Sequence, residues 1–141
     1  MARILVIDDE PYVCEAIQRV LRSRFEIECS AEATAGIERL GRTPSVDLVI
    51  IDLVMPGTDG VTAISRIRKQ WPKIRMIAIS GGGEHGIADY RPEAIATRAY
   101  LAAAQRAGAD ATLAKPFETR ELYGVIETVM PARAEALTTG D

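Results

Sequence analysis

Val46-Asp-Leu-Val-Ile-Ile-Asp52 carries five apolar side chains, four of them in an unbroken run, and stops at a carboxylate. A short, mostly β-branched run of this kind reads as a strand covered on both faces, since a strand wetted on one face alternates apolar with polar residues. Working outward, Arg3-Ile-Leu-Val-Ile7 is a second such run and ends at Asp8-Asp9. Ile74-Arg-Met-Ile-Ala-Ile79 is a third and ends at Ser80-Gly-Gly-Gly83. Residues 111–114 form a short strand before Lys115-Pro116, and residues 25–29 a weaker, partly charged one suited to a sheet edge. The intervening segments have helical period. Pro11 opens one with Val13, Ile17, Val20 and Leu21 on a single face. Ala33, Ile37 and Leu40 mark a short helix that stops around Gly41 and Pro44. Met55-Pro-Gly-Thr-Asp-Gly60 is dense in turn residues and reads as a loop. Val61, Ile64, Ile67 and Trp71 then line a helix closed by Pro72. Residues 92–107 make an alanine-rich helix ending at Gly108, and Leu122, Val125, Ile126 and Val129 give the last helix its apolar stripe. From Pro131 the tail loses its period and is expected to fray.

Strand–helix alternation predicts an α/β domain: an open five-stranded parallel sheet, doubly wound, with helices on both faces. Ligands of such sheets bind beyond the carboxyl ends of the strands. The residues at those ends are Asp8 and Asp9, Asp52, Ser80 and Lys115. Three carboxylates, a hydroxyl and an ammonium are therefore expected to converge on one edge.

Composition excludes several other classes. The 141 residues carry a net charge of −3, 48% are hydrophobic and 26% charged, so the chain suits one globular domain and not a disordered one. Mild acidity supplies no basic patch for nucleic acid. The longest stretch without Asp, Glu, Lys or Arg is the 8 residues of 76–83, too short for a membrane span, and the apolar run after Arg3 is too short for a signal peptide. Cys14 and Cys29 form no C-x-x-C pair and are read as small apolar groups in a reducing, cytoplasmic setting. The single His85 leaves no basis for a Ser/His/Asp triad or a zinc site, and the alternating Arg and Glu residues read as solvated helix faces.

Neighbouring carboxylates repel unless a cation joins them. Oxygen-only donors suit Mg²⁺, with Mn²⁺ as a substitute. A lysine is a strong partner for phosphoryl oxygens, and an aspartate is a competent nucleophile toward phosphorus. The set reads as a metal-assisted site that phosphorylates an aspartate. Asp52, at the end of the most apolar strand, is the expected acceptor, with Asp8 and Asp9 as the metal pair.

Four motifs together carry a resemblance: Ile4-Leu-Val-Ile-Asp-Asp-Glu10; Asp47-Leu-Val-Ile-Ile-Asp-Leu-Val-Met-Pro-Gly57 with Asp59-Gly60; Ile79-Ser80-Gly81; and Leu113-Ala-Lys-Pro-Phe117. Spanning residues 3–129, they resemble the receiver domain of bacterial two-component response regulators, a flavodoxin-like fold. The resemblance implies that Asp52 accepts phosphate from a sensor histidine kinase or a histidine phosphotransfer protein. It implies that Asp8, Asp9, Asp52 and the backbone carbonyl of Val54 hold the metal, and that Ser80 and Lys115 bind the phosphoryl oxygens. There are three departures. Thr112 stands where the family usually has a switch aromatic, which leaves Tyr90 and Tyr100 as replacements. Thirty-four residues separate Ser80 from Lys115, where a strand, a helix and two connections need about 22–28. The excess is assigned to an insertion at residues 81–91 whose order responds to the phosphoryl group. Val54 and Gly82 lack the polar side chains that would help to orient an attacking water, so self-dephosphorylation is expected to be slow.

The resulting expectation is a stand-alone receiver at residues 1–130 with a tail at 131–141, turning over no free substrate. It would signal through a downstream protein, by onward relay or as a homodimer, with no nucleic acid or membrane involved. The alternatives are a phosphorylation-independent adaptor of the same fold and an aspartate-nucleophile phosphohydrolase. The latter usually has D-x-D on its first strand, which Ile7-Asp8-Asp9-Glu10 does not match.

Overall fold

The computed structural model describes residues 1–55, 57–81 and 92–131, with side chains throughout except at 58 and 92–97. Seven strands and five helices follow in the order β1 (Ala2–Ile7), α1 (Pro11–Leu21), β2 (Phe25–Ser30), α2 (Ala33–Leu40), β3 (Leu48–Asp52), β4 (Val54–Met55), β5 (Thr58–Asp59), α3 (Gly60–Gln70), β6 (Arg75–Gly81), α4 (Pro92–Ala107), β7 (Ala111–Lys115) and α5 (Thr119–Val129). Five strands form a parallel sheet in the order β2-β1-β3-β6-β7. The doubly wound sheet expected from the sequence is thus present, with the most apolar strand, β3, at its centre. Segment 55–60 differs from the expected loop: Val54 pairs with Asp59 and Met55 with Thr58 in a small antiparallel hairpin. The proposed insertion lies outside the described residues except for Gly81, which ends β6, as does the tail beyond Pro131.

Alternation along the central strands divides the core between the two faces. Ile4, Val6, Leu48, Ile50, Ile77 and Ile79 pack with Ile17 and Leu21 of α1 and Ile126 of α5. Leu5, Ile7, Val49, Ile51, Met76 and Ala78 pack with Ile64 and Ile67 of α3 and Ala104 of α4. Every side chain of Leu48 to Ile51 is fully removed from water. At about 25 cal/mol per Å², burying such a side chain stabilises the fold by about 1.5–3 kcal/mol. The edge strand β2 is protected by charge: Glu26 pairs with Arg3 at 2.7 Å, and Glu28 bridges Arg3 and Arg39 at 2.8 and 2.7 Å. Arg39, with Arg3 adding to it, pulls the Glu28 carboxyl down to a pKa of about 2.

Not every arginine on a helix is merely solvated, as the sequence suggested. Arg68 of α3 donates to the carbonyls of Ile74 (2.6 Å) and Gly108 (2.7 Å) and to Asp110 Oδ2 (2.9 Å). The same Asp110 oxygen accepts from Met76 N at 2.8 Å. These bonds tie the entry of β7 to that of β6, so the two strands deliver Ser80 and Lys115 to the same end of the sheet. The cysteine reading also needs correction. Strand alternation turns Cys29 toward α1, the structure pairs it with Cys14, and the two Cα atoms lie 6.3 Å apart.

Candidate functional site

β1, β3, β6 and β7 all end at one edge of the sheet, so Asp8, Asp52, Ser80 and Lys115 meet there. Asp52 is the last residue of β3 and is 2% exposed. Its Oδ1 accepts from Val54 N at 3.1 Å, and its Oδ2 lies 3.3 Å from Lys115 Nζ. The ammonium is shared: Asp8 Oδ2 and Glu10 Oε1 each stand 3.0 Å from it. Burial opposes the charge on Lys115, but these three carboxylates outweigh it and hold the amine well above the ordinary lysine range.

Asp52 is perturbed in the opposite sense for an acid. Burial raises its pKa to about 6, aided by repulsion from Asp8, while the Val54 N–H and Lys115 restrain the rise. Glu10 is held below its usual value by the hydroxyl of Tyr12 first and then by Lys115. Ser80 Oγ is fully buried and has no hydrogen-bond partner among the described residues. Asp8 Oδ2 is likewise sealed from water and receives the ammonium as an ion pair, without a well-aligned hydrogen bond. A buried hydroxyl left without a partner, as at Ser80, costs about 1–3 kcal/mol, so the edge is suited to a polar ligand that can satisfy it.

The donor chemistry fits a hard divalent cation. One oxygen each from Asp8, Glu10 and Asp52 lies within 4.8 Å of the others, with no nitrogen or sulfur in the set. Glu10 is the member that the sequence reading missed. It ends the same first-strand motif, but only the turn into α1 brings it back over Lys115. Asp9, expected as half of the metal pair, is not in this group. Val54 contributes its N–H to Asp52, while its side chain is 56% exposed.

Local structure explains these placements. Pro11 starts α1 directly after Glu10, so the acidic turn is short. Asp8 N donates to Ser30 O at 3.0 Å, which fixes that turn to the end of β2. Asp59 caps α3, accepting from Val61 N at 3.0 Å and from the Thr62 hydroxyl at 2.9 Å. At Gly60 any Cβ would stand 2.5 Å from Leu53 Cα, so only glycine lets α3 approach the strand that bears Asp52. A cavity of about 330 Å³ lies beside the hairpin, lined by Leu53, Val54, Met55, Asp59 and Tyr100. Thr112 is half-buried on β7, and Tyr100 stands exposed on α4; Tyr90 and His85 lie outside the described residues.

A sequence model of the response regulator receiver domain matches residues 4–127. The chain belongs to the response regulator receiver domain family. Among relatives, it is 35% identical over 130 residues to the hydrogenase transcriptional regulatory protein HoxA of Bradyrhizobium diazoefficiens, covering 92% of this chain and 23% of that one. It is 28% identical to the chemotaxis protein CheY of Treponema pallidum, covering 91% and 82% of the two chains. The crystal structure of a response regulator receiver domain protein from Clostridium thermocellum superposes with a TM-score of 0.74 at 24% identity, covering 100% of both. The chain spans less than two thirds of the first of these relatives' length. Receiver domains are signalling modules of two-component systems, bind Mg²⁺ at an acidic pocket, and interact with histidine kinases or phosphotransfer proteins and with downstream targets. Among the described residues of this receiver, no helix is long and apolar enough to cross a membrane.

Proposed function

We propose that this receiver accepts a phosphoryl group on Asp52 from the phosphohistidine of a sensor kinase or a phosphotransfer protein. A carboxylate oxygen of Asp52 would attack phosphorus as the phosphorus–nitrogen bond to imidazole breaks, leaving an aspartyl phosphate and a free histidine. The observation that carries this reading is the convergence of Asp52 with Lys115 at 3.3 Å beside the Ser80 hydroxyl, which has no partner among the described residues.

Each residue has a role. Lys115 neutralises charge on a transferred oxygen, and Ser80 donates its hydroxyl to another. Asp8 and Asp52, joined by Asp9 or Glu10 and by the Val54 carbonyl, would hold the ion. When bound, Mg²⁺ would supply charge neutralisation on the phosphoryl oxygens. Because Lys115 is shared by three carboxylates in the resting state, its transfer to a phosphoryl oxygen releases Glu10 and so changes the surface at the start of α1. The output is binding to another protein or onward relay, and no turnover of free substrate is expected. We assign residues 1–130 to the receiver unit, since Val129 and Met130 are the last buried side chains among the described residues, and 131–141 to a C-terminal segment. Its place of action is assigned to the cytoplasm.

Intact-mass spectrometry after incubation with acetyl phosphate, and with a histidine phosphotransfer donor, tests the proposal. One phosphoryl adduct is expected in the wild type with Mg²⁺, and none with chelator or in Asp52→Asn. A wild type that stays unmodified with both donors, or an adduct that survives in Asp52→Asn, overturns it.

A further inference from the structure

Away from the acidic pocket, the fold brings two thiol-bearing side chains together from different elements. β2 sends Phe25, Ile27 and Cys29 to one face by strand alternation, and that face packs on α1, where Val13, Cys14 and Ile17 are turned inward. The Cα atoms of Cys14 and Cys29 are 6.3 Å apart, within the range of about 4.4–6.8 Å that a disulfide spans without backbone movement. Their access to solvent differs: Cys14 is buried, whereas Cys29 is exposed near the sheet edge. Thiol–disulfide exchange needs an accessible sulfur to begin and a second sulfur within reach to finish, and this pair has one of each.

We propose that Cys14 and Cys29 form a reversible dithiol–disulfide site for small disulfides such as oxidised glutathione, with Cys29 as the entry thiol and Cys14 as the resolving thiol. The Cys29 thiolate attacks one sulfur of the small disulfide, breaks its sulfur–sulfur bond and releases one small thiol. The Cys14 thiolate then attacks the Cys29 sulfur of the mixed disulfide and expels the second small thiol. The two cysteines lose two electrons together, the co-reactant gains them, and the two cysteine protons leave on the two released thiols. Closure bears on the acidic turn. Ser30, next to Cys29, already accepts from Asp8 N at 3.0 Å, and Cys14 sits one helical turn beyond Glu10. The bond therefore pins the helix that follows the turn to the strand that already holds the turn's start. The proposal is independent of phosphoryl transfer.

The test is acid-quenched intact mass of the reduced full chain after exposure to oxidised glutathione. The wild type is expected to lose two hydrogens, retain no glutathionyl group, and return to the reduced mass with dithiothreitol. Cys14→Ser is expected to accumulate one glutathionyl adduct, and Cys29→Ser to acquire one at least about tenfold more slowly, because its remaining thiol is buried. A wild type that keeps a stable adduct, one that stays reduced at every glutathione ratio, or single variants reacting at equal rates would each overturn the assignment. A measurement on the wild type alone guards against misfolded variants: with 15 residues of separation, the oxidised form is expected to melt about 10 °C above the reduced form. Equal midpoints would also overturn it.

Discussion

Replacing Asp52 by asparagine is expected to stabilise the resting protein while abolishing its phosphorylation. The carboxyl is 2% exposed, and its pKa stands at about 6 against an ordinary value of 3.8. That difference means that the charged form costs the folded state about 3 kcal/mol at neutral pH relative to the unfolded chain. The sign follows from proton binding. The native state holds this proton more tightly than the unfolded chain does, so the favourable contribution is complete below a pH of about 3.8 and is lost as pH rises through about 6. Asparagine removes the charge but has one acceptor oxygen for two donors, Val54 N and Lys115 Nζ. Losing one of those bonds costs about 1 kcal/mol. The net gain at neutral pH is about 1–2 kcal/mol, or a rise in Tm of about 3–8 °C. Differential scanning fluorimetry of both proteins in metal-free buffer from about pH 4 to about pH 7.5 should show the gap opening between about pH 4 and 6 and staying level above. Saturating Mg²⁺ should narrow it, because the ion stabilises only the wild type strongly. A variant that melts below the wild type at neutral pH, or a gap that does not grow with pH, would refute the electrostatic account of the site.

Other outcomes follow from the same geometry. Asp8→Asn removes a buried ligand that faces Lys115 at 3.0 Å and should weaken Mg²⁺ binding about 10–100-fold by isothermal calorimetry; unchanged affinity would count against the assigned donor set. Gly60→Ala should destabilise the chain by about 1–3 kcal/mol in urea unfolding, because its Cβ would sit 2.7 Å from the Leu53 carbonyl oxygen; a neutral result would mean that α3 can shift freely from β3. With an apolar, 56% exposed Val54 beside the acceptor, the phosphorylated form should persist for minutes or longer at neutral pH. A lifetime of seconds in a phosphate-release assay would contradict that reading.

The site was legible residue by residue to different degrees. Asp8, Asp52, Ser80 and Lys115 could be placed because each stands at the polar end of an apolar strand run, and parallel strands necessarily end together at one edge. Glu10 was not legible as a partner of Lys115, since a residue in a turn has no periodicity to tell where its side chain points. The contact depends on how sharply Pro11 restarts the chain as α1. The hairpin at residues 54–59 was hidden for a similar reason. Two-residue strands leave too short a pattern to separate from turn chemistry, and Pro56-Gly57 reads equally well either way.

By itself, the sequence determined the class of fold and which polar side chains stand at the ends of its strands. Unbroken apolar runs are buried only with both faces covered, alternation with helices makes the sheet parallel, and the polar residue that ends each run then lies at the ligand edge. Tertiary structure alone decided the rest. It set three carboxylates around one ammonium, moved the Asp52 pKa to about 6 and left Ser80 Oγ without a partner among the described residues. It also turned Arg68 from a helix-surface charge into the tie between two strands, and it brought Cys14 within reach of Cys29. These outcomes depend on distances between residues far apart in the chain and on the exclusion of water between them, and both exist only once the sheet has assembled and the helices have closed over it.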